Sequence, residues 1–128
     1  PPPTRRGLVM LDPSYENKSD YARTIGVLKA AIERFATGTY LVWYPIIQRL
    51  EAQGFPARLK RVQAKNWLHA SLTIRAPAAD GRGLNGSGLF LINPPWTLPA
   101  MLAEVLPYLV KHLGLDASAR FELDDTLA

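Results

Sequence analysis

Cysteine is absent from the 128-residue chain, which excludes a disulfide scaffold and a thiolate zinc site. Histidine is scarce: His69 and His112 stand far apart, and no metal centre is expected. No apolar run approaches the roughly 20 residues of a membrane helix, and no secretory pattern opens the chain. A soluble, cytoplasmic protein without a membrane partner is expected. Charged residues make up 20% and apolar residues 48%, a balance that excludes disorder and fits one globular domain. The formal net charge of +4 favours a polyanionic partner, nucleic acid first. Pro1-Pro2-Pro3-Thr4 leads through Arg5-Arg6 straight into an apolar stretch. The chain reads as one entered partway along a longer protein.

Leu8 to Leu11 is continuously apolar, as in a strand buried on both faces. Tyr21, Ile25, Leu28, Ile32 and Phe35 then recur at helical spacing. The pattern predicts a helix from Ser19, its N-cap, to Ala36, with Gly38 ending it. Thr39 to Tyr44 reads as a second buried strand, completing a crossover unit. Pro45 is expected to start a helix that stops at Gly54, and Pro56 another, with Leu59 and Val62 facing inward. Arg58, Arg61 and Lys65 share the opposite face at helical spacing, either as a solvated face or as a phosphate-contacting one. Trp67 to Arg75 and Gly88 to Asn93 read as strands, paired antiparallel because their connector is short. Leu98, Leu102, Val105, Leu109 and Leu113 describe a last helix, kinked at Pro107 and ended by Gly114. Ser118 to Leu123 reads as a small extra strand. The fold class is α/β, a mostly parallel sheet with a terminal antiparallel hairpin. That order is the C-terminal half of a Rossmann-like methyltransferase fold, without the strands whose loops hold a nucleotide-type cofactor.

Asp12-Pro13-Ser14-Tyr15 follows the first strand, and open α/β sheets bind ligands beyond the carboxyl ends of their strands. Asp12 can accept hydrogen bonds from the exocyclic amine of a planar base. The Pro13 carbonyl can accept another, since proline keeps its acceptor. Tyr15 can stack on the base. The competing reading is an ordinary Asp-Pro turn with Tyr15 in the core.

The stretch Arg5-Arg6-Gly7-Leu8-Val9-Met10-Leu11-Asp12-Pro13-Ser14-Tyr15-Glu16 resembles the catalytic segment of the bacterial large-subunit ribosomal RNA adenine-N6 methyltransferases. That family is also linked to use of external DNA as a nutrient. Three further stretches continue the resemblance in order: Arg34 to Tyr40 with Trp43-Tyr44-Pro45-Ile46, Gly83 to Leu89, and Ile92-Asn93-Pro94-Pro95-Trp96. The resemblance covers nearly the whole chain but only the C-terminal half of the family. It implies one partial domain over residues 1–128, S-adenosylmethionine as cofactor, and ribosomal RNA as partner. Asp12 becomes the catalytic, cofactor-proximal residue, and Pro13, Ser14 and Tyr15 bind the base. The family's turn is Asp-Pro-Pro-Tyr, so Ser14 replaces a stiffening proline. The absent N-terminal half holds most cofactor contacts in the family.

Asn93-Pro94-Pro95-Trp96 has the letters of a base-methylating motif but follows the antiparallel strand. It reads as a structural turn with Trp96 packed. Gly81-Arg82-Gly83-Leu84-Asn85-Gly86 has dinucleotide spacing but precedes a strand. It reads as a connector whose Arg82 is a candidate RNA contact beside Arg58, Arg61 and Lys65. Ser71 and Ser87 lack a nucleophile's partners, His69 reads as structural, His112 suits a helix C-terminus, and Asp124 and Asp125 show no metal pattern. Two other readings stand beside the enzyme. One is a noncatalytic fragment that self-associates through an exposed strand edge or pairs with the missing half. The other is a basic nucleic-acid binder without chemistry.

Overall fold

The computed structural model describes residues 1–127. Its elements run β1 (Leu8–Leu11), α1 (Ser19–Arg34), β2 (Thr39–Ile46), α2 (Leu50–Lys60), β3 (Trp67–Thr73), β4 (Gly86–Ile92), α3 (Leu98–Leu113) and β5 (Arg120–Asp125). They build one five-stranded sheet in the order β1-β2-β4-β3-β5. β1 lies parallel to β2, Leu8 beside Thr39 and Leu11 beside Val42. β4 returns antiparallel between β2 and β3, and β5 lies antiparallel along β3.

This corrects the mostly parallel sheet. β1, β2 and β3 do point the same way, but β4 separates β2 from β3, so among the described residues β1–β2 is the only parallel pairing. The hairpin and the extra strand are present. It is their position in the sheet that reverses the balance.

Two cores flank the sheet. Tyr40, Val42 and Tyr44 of β2 with Phe90 and Ile92 of β4 face α1 and α2, meeting Tyr21, Ile25, Leu28, Phe55 and Leu59. On the other face Leu68, Ala70 and Leu91 meet Leu106 of α3. β3 is therefore covered on both sides, and its alternation of apolar and polar residues does not mark a wet face. Gly88 is required where it stands: a Cβ there would fall 2.0 Å from the Tyr44 ring.

Several local expectations give way to tertiary packing. Leu8 is 68% exposed because β1 is the outer strand of the sheet that residues 1–127 form, so within these residues its apolar run is not buried on both faces. Pro45 belongs to β2, paired with Ser87. β1 ends opposite Val42, so beyond that point β2 has an open side where a missing N–H is tolerated. A single helix, α2, runs through Gly54 and Pro56. Burial of Ala52, Phe55 and Leu59 on one face outweighs both local costs. Helix α2 ends at Lys60, so Lys65 lies in the connector to β3 and does not extend the helical face of Arg58 and Arg61. Ser19 is the first helical residue, not the cap. Asn17 Oδ1 accepts hydrogen bonds from the Ser19 backbone N–H and hydroxyl. Trp96 is 84% exposed rather than packed.

Asn93 does form a structural turn. It adopts φ 53°, in the left-handed region that asparagine tolerates better than most residues. Its amide nitrogen donates to the carbonyls of Ala36 and Gly38, both at 2.8 Å, fastening the turn between α1 and β2. The Thr39 hydroxyl donates back to the Asn93 carbonyl at 3.0 Å. Asn93→Ala loses two hydrogen bonds and a tolerated backbone conformation. It is expected to cost about 1–3 kcal/mol, read as a lower urea midpoint; an unchanged midpoint would contradict the latch.

His69 is buried and hydrogen-bonded to the Tyr44 hydroxyl at 2.5 Å. Burial first, then the charge of Lys60, holds its pKa below 6.5, with Glu122 and Asp124 pulling the other way. As pH falls through 6.5, the unfolded chain gains a proton that the folded imidazole does not. Stability is therefore full above that pH and declines below it. Urea midpoints measured downward from pH 6.5 should fall less steeply in His69→Gln than in the parent; equal slopes would contradict the assignment.

Candidate active site

β1 ends at Leu11, and the chain turns through Asp12, Pro13, Ser14 and Tyr15 before reaching α1. This is the carboxyl end of β1 and β2, where α/β sheets place their ligands. The Asp12 side chain is exposed, and among the described residues it forms no ion pair. It borders a cavity of about 420 Å³ between β1 and α1, with Met10, Leu11, Pro13, Asp20 and Arg23. Asp20 and Arg23 pair with each other at 4.0 Å, which leaves Asp12 uncompensated. No backbone N–H of the described residues bonds the Pro13 carbonyl.

Tyr15 differs from the stacking role. It is 2% exposed, and its ring packs against Tyr21 at 4.8 Å and edge-on to Phe55 at 5.8 Å. Little surface is left on which a base could stack. Its hydroxyl donates to the Trp43 carbonyl at 2.6 Å. Burial raises its pKa, so the hydroxyl keeps the proton it donates. The backbone of Tyr15 sits at φ 57°, unusual for an aromatic residue and held there by these contacts. Ser14 is exposed beside Asp12, and its Oγ accepts a 3.4 Å hydrogen bond from the Glu16 N–H.

The structure divides the basic candidates. Arg82 lies in the β3–β4 connector, which leaves β3 at the same end of the sheet as Asp12. Arg58 and Arg61 stand at the far end of α2, and Lys65 just before β3. Those three border the opposite end of the strands. A larger cavity, about 860 Å³ and bordered by Lys65, Asn66 and Asn93, opens at that end. Its size does not make it the site, because it faces the amino ends of the parallel strands.

Sequence reasoning missed three arginines that topology brings to the Asp12 end. Arg49 follows β2, Arg75 follows β3, and Arg120 opens β5 opposite Thr73. Arg49 NH1 donates to the Tyr15 carbonyl at 2.7 Å and the Glu16 carbonyl at 3.4 Å. Arg75 closes the connector by donating from Nε and NH2 to the Leu84 carbonyl at 3.3 and 3.2 Å. No sequence signal marks them, since each stands alone beside an element end.

Comparison with known proteins agrees with this architecture. A family model described as "Ribosomal RNA large subunit methyltransferase D, RlmJ" matches residues 1–123. The chain is 43% identical over 113 residues to the ribosomal RNA large subunit methyltransferase J of Haemophilus influenzae, and 38% identical to that of Escherichia coli. Each match covers 88% of this chain and 40% of the relative. The chain thus spans less than half the length of these curated relatives. The crystal structure of protein LPL1258 from Legionella pneumophila superposes with a TM-score of 0.85 at 32% identity, covering 97% of this chain and 45% of that one. By the family match over nearly all its length, this chain belongs to the ribosomal RNA large subunit methyltransferase family named RlmJ.

Proposed function

We propose that this chain is the carboxyl-terminal part of an S-adenosylmethionine-dependent enzyme that methylates the N6 amine of an adenine in large-subunit ribosomal RNA. The observation that carries the reading is the Asp12 carboxylate: exposed, without an ion-pair partner among the described residues, and set at the carboxyl end of β1. The names of the relatives support the ribosomal RNA substrate.

The amine is a poor nucleophile because its lone pair is delocalised into the ring. Asp12 accepts a hydrogen bond from one amino hydrogen and the Pro13 carbonyl from the other, which turns the lone pair out toward the donor. Positioning of this kind supplies on the order of several kcal/mol. S-adenosylmethionine, when bound, supplies an electrophilic methyl group on a sulfonium. The Asp12 carboxylate stabilises positive charge developing on nitrogen and accepts the proton that nitrogen releases. The residues present fit that role only in part: Asp12 and Pro13 border the cavity, and the remaining cofactor contacts belong to the part of the family that this chain does not span. An adenine inside a duplex cannot reach the turn, so the substrate base is unpaired or extruded. Arg82, near the Asp12 end, is placed to meet the RNA backbone. Tyr15 acts from beneath, holding the turn rather than stacking on the base.

The open side of β1 is where the rest of a longer chain pairs. An isolated 128-residue chain is then expected to self-associate with rising concentration in sedimentation; a monomer at all concentrations would contradict an exposed pairing edge. In the full-length enzyme, Asp12→Ala should lower methyl transfer by about 10²–10⁴-fold with the fold retained by circular dichroism. Transfer at the parent rate would remove Asp12 from the mechanism.

A further inference from the structure

We propose that Arg49 is a positioning residue for Asp12, and that its grip on the turn supplies a stiffness that Ser14 does not. The inference rests on the reading of Asp12 given above. The last paired residue of β1 is Leu11, opposite Val42. The next fixed point is Tyr15, so Asp12, Pro13 and Ser14 span the gap between two anchors.

The second anchor has two parts, both set by β2 and the loop after it. From below, the Tyr15 hydroxyl bonds the Trp43 carbonyl at 2.6 Å. From the side, Arg49 NH1 reaches the carbonyls of Tyr15 and Glu16 at 2.7 and 3.4 Å. The side-chain bond fixes where the ring lies, whereas the guanidinium fixes the peptide planes that follow it. The Tyr15 backbone sits at φ 57°, a conformation that persists only while its surroundings impose it.

Burial raises the pKa of the Tyr21 hydroxyl, and the Arg49 charge beside it opposes that rise. Both bonds leave one nitrogen, NH1; a lysine carries the charge on a shorter stem, so it reproduces the bridge to two carbonyls only in part. Proline at position 14 would restrict the same turn by fixing φ. Ser14 offers only its 3.4 Å hydrogen bond with Glu16. Arg49 and position 14 thus control one quantity, the freedom of the turn that follows Asp12, and their effects should not add.

The test uses the full-length enzyme with Arg49→Ala and Arg49→Lys, each alone and combined with Ser14→Pro. The readouts are kcat, KM for RNA, thermal midpoint and amide exchange across the turn. Arg49→Ala should lower kcat by about 10–100-fold with KM unchanged, and speed exchange at Tyr15 and Glu16 but not in β3 and β4. Arg49→Lys should fall between parent and Ala, and Ser14→Pro should restore most of the loss. An unchanged kcat in Arg49→Ala would overturn the proposal. So would a raised KM alone, which marks direct RNA contact, or a uniform loss of protection without rescue by Ser14→Pro, which marks a merely structural role. If Arg49→Ala does not fold, Arg49→Lys decides: parental kcat overturns the proposal, and a kcat loss rescued by Ser14→Pro supports it. Failure here with Asp12→Ala inactive leaves the reading of Asp12 standing. Parental activity in Asp12→Ala removes both.

Discussion

The parallel pairing of β1 with β2 is the contact on which the site depends. It covers Leu8 to Leu11 against Thr39 to Val42. Because the strands are parallel, both carboxyl ends arrive together, and the loop after β2 can reach the turn after β1. The Tyr15 hydroxyl on Trp43 and the Arg49 guanidinium on the Tyr15 carbonyl both exploit that adjacency. An antiparallel neighbour would have put the beginning of a strand there instead.

Within the turn, adjacent residues are divided by environment. Asp12 and Ser14 are exposed, whereas Tyr15 lies in the aromatic cluster of Tyr21 and Phe55. Among the described residues no ion pair neutralises the Asp12 carboxylate, and Tyr15, three residues on, is anchored in the core. The second Asn-Pro sequence shows the reverse arrangement. Asn93 spends its side-chain donors on Ala36 and Gly38 and stands at the other end of the strands. Similar letters thus leave an exposed carboxylate at one end and a staple at the other, and strand direction separates them.

The Asp-Pro turn, the β3–β4 hairpin and the last helix are legible in the sequence because each carries a local signal: a motif, a short connector, a periodic stripe ended by Gly114. The order of strands in the sheet is not local, and with it went the parallel majority and the burial of β1. Pro45 and Pro56 misled for a related reason. Both carry strong helix-start signals, but pairing with Ser87 absorbs one and burial of Phe55 and Leu59 the other. Arg49 was invisible, since a lone arginine beside an element end has no pattern until the fold brings Tyr15 within 2.7 Å of it. Tyr15 could be read either way from its motif, and only burial decides for the core.

The central claim is that the Asp12 carboxylate, held past the end of β1, grips the amine of an extruded adenine. The most direct measurement is a crystal structure of the longer enzyme with an adenosine-containing RNA fragment. The account predicts the N6 nitrogen within hydrogen-bond distance, about 2.7–3.2 Å, of the Asp12 carboxylate and near the Pro13 carbonyl. An adenine seated elsewhere, or an Asp12 turned into an ion pair away from the base, would contradict it.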